Sequence, residues 1–199
     1  MISGPSGTGK GAICMRLRDK LDVLLSISMT TRPPRPRESE GFSYYFVSDQ
    51  KFNEVIAEDG FLEHAVVYGS KYGTPKAPVL KQLEAGRDVI LEIDVQGAMQ
   101  VKRNYPRGVF IYVLPPSMEE LRRRIVSRGS ESDQDIDLRM MEALGEIDHL
   151  PQYDYYIVNR VLNEAVDDVA AIIRAEHAKV GEDADDIIAG YKDANGDRP

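Results

Sequence analysis

A glycine-rich loop near the start of the chain constrains the fold more than any other feature. The loop consists of Gly4, Pro5, Ser6, Gly7, Thr8, Gly9 and Lys10. Two glycines that bracket four residues before a lysine turn backbone N–H groups inward onto phosphate oxygens, and the dipole of a following helix adds to the attraction. Residues 1–3 can end a strand and residues 13–21 fit a helix. The sequence therefore predicts a loop that binds a nucleoside triphosphate; a glycine-rich turn without a ligand would leave the lysine unexplained.

The two ends of this motif depart from the usual pattern. A Ser or Thr hydroxyl that binds Mg²⁺ normally follows the lysine, whereas this chain has Gly11 and then Ala12. We expect phosphates, water and an acidic side chain to hold the metal instead, with Asp94 as a candidate through water. Only three residues precede the loop, although a buried strand usually has about five or six. Two interpretations stay open: the chain starts inside its first strand, or that strand is short.

Composition indicates a protein without a membrane-spanning segment or a nucleic-acid surface. The 199 residues suit one domain, or one domain with an inserted lobe, and 42% of them are hydrophobic, which suffices for a full core. The net charge of −8 argues against binding of a nucleic-acid polymer. Cys14 is the only cysteine, which excludes an internal disulfide. No apolar run approaches the roughly 20 residues of a membrane span. We therefore expect a cytoplasmic protein.

Short apolar segments alternate with helical patterns, which is typical of an α/β protein with a parallel sheet. Candidate strands cover residues 23–29, 89–93, 109–114 and 155–158. Candidate helices cover residues 78–85 and 162–180, and another begins with a capping box at Ser117 and Glu120.

Four segments follow from this pattern. Residues 1–32 and 87–180 form the predicted nucleotide-binding core, with helices on both faces of its sheet and a flexible lid at about 128–138. Residues 33–86 interrupt the alternation and are predicted to form a small inserted lobe with its own strands. Residues 181–199 form an acidic tail that we expect to be a weak helix or disordered.

A second cluster lies at the start of the inserted lobe. Arg32 and Arg35 are separated by prolines and followed by Tyr44. Two planar guanidinium groups near tyrosine hydroxyls suit a dianionic phosphate. Taken alone, the cluster is equally compatible with a solvated basic loop.

Several motifs in one order give the chain a strong resemblance to guanylate kinases over residues 1 to about 178. They are Thr30-Thr31-Arg32, Phe61-Leu62-Glu63, Tyr72-Gly73-Thr74, the run from Ile90 to Gly97, Pro115-Pro116-Ser117 and Arg128-Gly129. The resemblance implies a P-loop kinase fold with a GMP-binding lobe and a lid. It also implies the reaction ATP + GMP ⇌ ADP + GDP, with Mg²⁺ accompanying ATP, in a monomer or homodimer.

The resemblance also implies roles for individual residues. Those matching the family's contacts to the GMP phosphate are Arg32, Arg35, Tyr44 and Tyr72. Those matching its contacts to guanine are Ser28, Glu63, Thr74 and Asp94. Lys10 and the lid arginines Arg124, Arg128 and Arg139 match its catalytic positions, and Asn159 matches an asparagine near adenine. The family usually has an acid after that asparagine, whereas this chain has Arg160, so the adenine contact stays open.

The guanine assignment agrees with the chemistry of the base. Guanine presents N1–H and N2–H₂ as donors, which two carboxylates can accept, whereas adenine presents the reverse pattern and would leave those carboxylates unpaired. Sites of this kind discriminate by about 10⁴–10⁵. Without the resemblance, a surface ion pair would explain Glu63 better. Asp94 follows an apolar strand, where ligands of α/β sheets bind.

Two other functions remain as alternatives. A guanylate-kinase-like domain that has lost catalysis can serve as a protein-binding module, but its usual mark is a degraded phosphate loop, and this loop keeps its glycines and Lys10. A related P-loop kinase with another acceptor is disfavoured by the complete guanine set. A panel of nucleoside monophosphates distinguishes these cases.

Overall fold

The computed structural model describes residues 1–36, 38–67, 69–127, 133–181 and 184–193. The strands are β1 (Ile2–Ser3), β2 (Val23–Leu25), β3 (Met29–Thr30), β4 (Tyr45–Phe46), β5 (Phe61–Val67), β6 (Ser70–Pro75), β7 (Asp88–Ile90), β8 (Ile111–Leu114) and β9 (Tyr155–Val158). The helices are α1 (Lys10–Lys20), α2 (Asp49–Ala57), α3 (Lys76–Glu84), α4 (Val95–Asn104), α5 (Met118–Ser127), α6 (Asp133–Ile147), α7 (Leu162–His177) and α8 (Ala184–Asp193).

The core is a parallel sheet in the order β2-β7-β1-β8-β9. Regular pairing joins β2 to β7 and joins β1 to β8 and β8 to β9. A parallel bridge between Ile2 and Glu92 unites the two halves, and the N–H of Ile2 donates to the carbonyl of Leu91 at 2.9 Å. All strand carboxyl ends therefore point to one edge, where the loop after β1 and the residues after β7 meet.

Helices cover both faces of this sheet, which confirms the predicted α/β architecture. One core cluster packs α1 and α7 against β1, β8 and β9 and includes Leu17, Val113 and Val169, all fully buried. A second cluster lies under α3 and α4 and includes Leu91 and Ala98. Successive strand residues alternate between the faces of the sheet. Ile90 therefore packs into the first cluster, and the adjacent Leu91 packs into the second. Cys14 is buried in α1 as a small core residue.

The inserted segment forms a second, four-stranded sheet in the order β4-β3-β6-β5, which is mainly antiparallel. The strand predicted over residues 23–29 is here two strands, because β2 belongs to the core sheet and β3 to the inserted one. The chain therefore crosses from one sheet to the other at residues 26–28. The predicted strand at 155–158 coincides with β9.

Two helices follow β8 on the side of the cleft. The Ser117 hydroxyl accepts from the N–H of Glu120 at 3.1 Å, so the predicted cap starts α5. Helix α6 begins at Asp133, inside the segment predicted as a lid; residues 128–132 lie outside the described part of the chain. Among the described residues, no helix is both long and apolar enough to span a membrane. The acidic tail contains α8.

Candidate active site

The phosphate loop runs from β1 into α1 with three glycines in left-handed backbone conformations. Gly4, Gly7 and Gly9 have φ values of 135°, 89° and 94°. A Cβ on Gly4 would lie 2.4 Å from the carbonyl oxygen of Val113, and one on Gly9 would lie 2.5 Å from Nδ2 of Asn159. Both the backbone conformation and the available space therefore require glycine at positions 4 and 9, as the spacing of the predicted loop implies.

Lys10 folds back over this loop. Its ammonium donates to the carbonyls of Gly4, at 2.5 Å, and Pro5, at 3.0 Å, while the buried Thr8 hydroxyl also donates to Pro5 at 2.9 Å. Burial lowers the pKa of Lys10, and the nearby carboxylates of Glu92, Glu146 and Asp94 oppose that shift. The ammonium thus lies at the centre of the loop, among acidic groups from three directions.

Asn159 locks the loop from the neighbouring strand end. The side chain is buried, and its Nδ2 donates to the carbonyl of Thr8 at 2.8 Å. The carbonyl of Asn159 accepts from Nη2 of Arg124 at 3.0 Å, and Nη1 of Arg124 lies 3.4 Å from the same Thr8 carbonyl. These contacts place Asn159 under the loop and connect the loop, the end of β9 and α5.

The structure describes the positions of two of the three arginines that were predicted to act at the lid. Glu120 accepts from Nε of Arg124 at 2.8 Å, one turn earlier on α5, and so orients it toward the loop. Arg139 lies on α6, is half-buried and lines the cleft. Arg128 lies outside the described residues. Sequence reasoning missed Glu120 as an orienting group, although its i, i+4 spacing from Arg124 was a usable signal.

The opposite side of the cleft brings the guanine-matching residues together. Thr74 donates to Oε1 of the buried Glu63 at 2.6 Å across the β5–β6 pair. Oδ1 of Asp94 accepts from the N–H of Gly97 at 2.7 Å, which caps α4. A Cβ on Gly97 would lie 2.7 Å from Oε2 of Glu63 and 3.3 Å from Oδ1 of Asp94. Two carboxylates therefore converge on one glycine.

Burial strongly perturbs the pKa of Glu63. Burial raises its pKa to about 7, and the charge of Asp94 adds to the shift, while the Thr74 hydrogen bond opposes it. Its side chain is buried, so an ionised Glu63 is stabilised by every hydrogen-bond donor that a ligand brings to it. A ligand with two adjacent N–H donors would satisfy it.

Arg32 lies in a cage formed by Glu38 and two tyrosines. Its Nη1 and Nη2 donate to both oxygens of Glu38, at 2.7 and 2.8 Å, and its Nε donates to the hydroxyl of Tyr72 at 3.1 Å. The guanidinium carbon lies 5.3 Å from the centre of the Tyr44 ring. The guanidinium also lowers the pKa of Glu38. Sequence reasoning missed Glu38, which stood among neighbouring charged residues without a distinguishing signal.

The remaining predicted residues occupy the rim of this lobe. Arg35 is exposed, and its backbone N–H donates to Oε2 of Glu38 at 2.8 Å, so Glu38 ties both arginines to one loop. Ser28 lines the cleft at the crossing between the two sheets. Its carbonyl accepts from the N–H of Tyr45 at 2.9 Å.

A single cleft of about 1110 Å³ joins the two halves. One wall carries Gly4, Ser6 and Lys10, and the other carries Ser28, Tyr44, Glu63, Tyr72 and Asp94. This volume exceeds the roughly 300–1,000 Å³ that holds one small ligand. The cleft is therefore at the upper end of the sizes that small-molecule sites have.

The cleft offers few protein ligands for a metal. Among the described residues, no group of three or more His, Cys, Asp or Glu side chains is arranged to hold one. Beside the loop, a Cβ on Gly11 would lie 3.3 Å from Oε1 of Glu92. A metal bound here would take most of its ligands from phosphate and water, as Mg²⁺ usually does.

Comparison with known proteins agrees with this geometry. The family model described as guanylate kinase matches residues 1–176. The chain is 51% identical over 188 residues to a guanylate kinase of Clostridium acetobutylicum, covering 94% of this chain and 90% of that protein. It is 52% identical over 186 residues to one of Caldanaerobacter subterraneus, covering 93% and 90%. A crystal structure of guanylate kinase from Anaplasma phagocytophilum matches with a TM-score of 0.75 at 35% identity, covering 90% of this chain and 85% of that one.

The family match, the level of identity and the shared fold rest on nearly the whole chain, including both walls of the cleft. Together they place this protein in the guanylate kinase family.

Proposed function

We propose that the two walls of the cleft bind ATP and GMP and that the γ-phosphoryl group passes between them, giving ADP and GDP. The observation that supports this most strongly is the pairing of a lysine-closed phosphate loop with two converging carboxylates in one cleft. Members of the family are ATP:GMP phosphotransferases, and the site contains groups suited to each substrate.

On the acceptor side, Glu63 and Asp94 accept the N1–H and N2–H₂ groups of guanine. Thr74 holds Glu63 in place through its 2.6 Å hydrogen bond, and Ser28 lies in the same wall. Among the described residues, four contacts engage the guanidinium of Arg32, and those with Glu38 and Tyr72 fix its position beside the phosphate. Arg35, Tyr44 and Tyr72 complete the phosphate contacts.

On the donor side, the backbone N–H groups of the loop and Lys10 bind the ATP phosphates, and Asn159 keeps the loop in shape. Mg²⁺ accompanies ATP and neutralises charge on the β- and γ-phosphates. Arg124, already oriented by Glu120, and Arg139 from α6 stabilise the charge that spreads over the migrating group. Arg128 is proposed for the same role from its sequence position.

No side chain has to form a covalent intermediate, because positioning and electrostatics suffice for phosphoryl transfer. Residues 1–32 and 87–180 would act as the core, with β3 extending into the sheet of the GMP lobe. Residues 33–86 would act as that lobe, and about 128–138 as the lid that closes over ATP. Closure would exclude water and direct the phosphoryl group to GMP rather than to hydrolysis.

A coupled assay of ADP formation tests this function. We expect turnover with ATP, Mg²⁺ and GMP, and less than about 1% of that rate with AMP, CMP or UMP. Adenine presents the reverse hydrogen-bond pattern, cytosine lacks the ring N–H, and uracil has a carbonyl oxygen where guanine has its N2–H₂ donor. Lys10→Met serves as the inactive control. Equal rates with several acceptors would overturn the guanine assignment.

A further inference from the structure

Three buried hydroxyl groups lie together next to the start of the phosphate loop. They belong to Ser3, Tyr112 and Tyr153, and in the described part of the chain none of the three oxygens has a hydrogen-bond partner. Ser3 and Tyr112 are fully buried as whole residues. Buried hydroxyls are nearly always paired, because an unpaired one costs as much free energy as a lost hydrogen bond. Three of them in one place therefore point to a shared partner.

Strand pairing brings the three side chains together. Ser3 ends β1 and is the register partner of Tyr112 on β8. Because successive strand residues alternate between faces, both side chains point away from the core cluster that contains Ile2 and Val113. The ring of Tyr153, which lies just before β9, packs edge-on against Tyr112 with 4.8 Å between the ring centres. Tyr153 also packs against the cluster under α4, so the hydroxyls meet on that face of the sheet.

The surroundings of these hydroxyls are negatively charged. Burial raises the pKa of Tyr153 to about 12, and the Ser3 hydroxyl opposes this shift. The charges of Asp94 and Glu146 add to it. Burial and the charge of Glu146 also raise the pKa of Tyr112. Both tyrosines therefore stay protonated at neutral pH, so each offers a donor as well as an acceptor.

These properties define the chemistry of the missing partner. The Ser3 and Tyr153 hydroxyls are close enough to affect each other, yet they lack the geometry of a direct hydrogen bond. The carboxylates nearby disfavour an anion. A buried water molecule is neutral, both donates and accepts, and typically makes about three hydrogen bonds to polar groups that have no other partner. Its number and type of contacts match those of the three hydroxyls.

We propose that Ser3, Tyr112 and Tyr153 form the binding site of one internal water molecule, which bridges their three hydroxyls at the end of β1. The site lies outside the groups assigned to ATP and GMP, so this inference does not depend on the proposed function.

A high-resolution crystal structure of the native chain tests the site directly. We expect one density peak at roughly 2.5–3.0 Å from all three hydroxyl oxygens, which is the usual range for hydrogen bonds between oxygens. No peak, a peak that contacts only one of the three oxygens, or a peak with the ligand distances of a metal ion would overturn the proposal.

The direction of a stability change gives a second test. Tyr112→Phe removes one oxygen and keeps the ring, so a hydroxyl bound to water should be missed: the equilibrium constant for unfolding in urea should rise about fivefold, the worth of one net hydrogen bond. A hydroxyl without a partner would give the opposite result, because its removal relieves an unpaired buried group. Tyr156→Phe on β9 is the matched control, since Tyr156 is 63% exposed, and should change the constant less than about twofold.

A double-mutant cycle tests whether the hydroxyls share one partner. Tyr112→Phe and Tyr153→Phe both keep their rings, so any coupling between them reports on the oxygens rather than on packing. We expect the effect of the double variant on the unfolding constant to depart from the product of the single effects by at least about threefold, because both hydroxyls bind the same water. Single effects that simply multiply, or a fall of the constant in Tyr112→Phe, would contradict a shared water.

Discussion

Replacing Glu63 with glutamine should stabilise the protein at neutral and alkaline pH while it abolishes selective binding of GMP. Burial raises the pKa of Glu63 from 4.5 to about 7, so the folded state holds this proton more tightly than the unfolded chain. Stability is therefore lost as the pH rises from the unfolded pKa through the folded one. Above about pH 7 the loss is complete, because the carboxylate is then ionised in both states.

The pKa shift sets the size of the effect. A difference of about 2.5 pKa units corresponds to roughly 3 kcal/mol at high pH. Part of this cost is already present at about pH 5, so the stability advantage of Glu63→Gln should grow by about 2.5 kcal/mol between about pH 5 and about pH 8. Glutamine keeps the oxygen that accepts from Thr74 and has nearly the same volume, so new packing defects should contribute little.

Urea unfolding at several pH values, with Glu84→Gln as the matched control, measures this difference. Glu84 is an exposed glutamate at the end of α3, and its replacement should change the free energy of unfolding by less than about 0.5 kcal/mol at every pH. The same preparation of Glu63→Gln should bind GMP at least about a hundredfold more weakly, because two charge-assisted hydrogen bonds are lost or reversed. A stability difference that does not change with pH would refute the reasoning.

Three further predictions concern the contacts around the substrates. GMP affinity of the native chain should weaken about fivefold between about pH 7 and about pH 6, because Glu63, with a pKa of about 7, takes up its proton. Glu63→Gln should show a smaller change, and an equal pH dependence of GMP affinity in both proteins would contradict this. Glu38→Gln should raise the KM for GMP about tenfold with little change in kcat, because Arg32 loses a bidentate partner, and an unchanged KM would show that Arg32 needs no such support. Asn159→Leu removes the closer of the two side-chain donors to the Thr8 carbonyl and leaves the longer contact from Arg124. It should cost about 0.5–1.5 kcal/mol of stability and raise the KM for ATP but not for GMP; equal effects on both KM values would contradict a role confined to the loop.

The phosphate loop and the sheet were predictable because their residues obey local rules. Gly4 and Gly9 are required by backbone conformation and by contacts of 2.4 and 2.5 Å, so their spacing reports a three-dimensional constraint directly. The apolar strand at 155–158 stands between clear breaks, and its bounds agree with β9.

The split of residues 23–29 between two sheets was not predictable in the same way. The run reads as one apolar segment, and the change of sheet at residues 26–28 depends on pairing with β7 and β6, which lie more than 40 residues downstream in sequence. Strand pattern alone does not specify the partner.

The sequence did not identify the residues that orient another functional side chain. Glu38 and Glu120 look like ordinary surface acids in the sequence. Their importance comes from their contacts with Arg32 and Arg124, respectively, and the fold decides which of many neighbouring charges make such contacts. Arg32 was already a candidate from its spacing to Arg35, and the resemblance to a family decided between the alternatives, whereas Arg124 was found because that resemblance singled it out.

The most direct test of the account follows the γ-phosphoryl group itself. The chain is incubated with ATP labelled in that group, Mg²⁺ and GMP, and the products are separated. We predict that the label appears in GDP in step with ADP formation, and that omission of GMP suppresses ADP formation almost completely, because GMP is the acceptor and the closed cleft excludes water. Label in inorganic phosphate at a rate independent of GMP, or label in every nucleoside monophosphate offered, would contradict transfer between the two walls of this cleft.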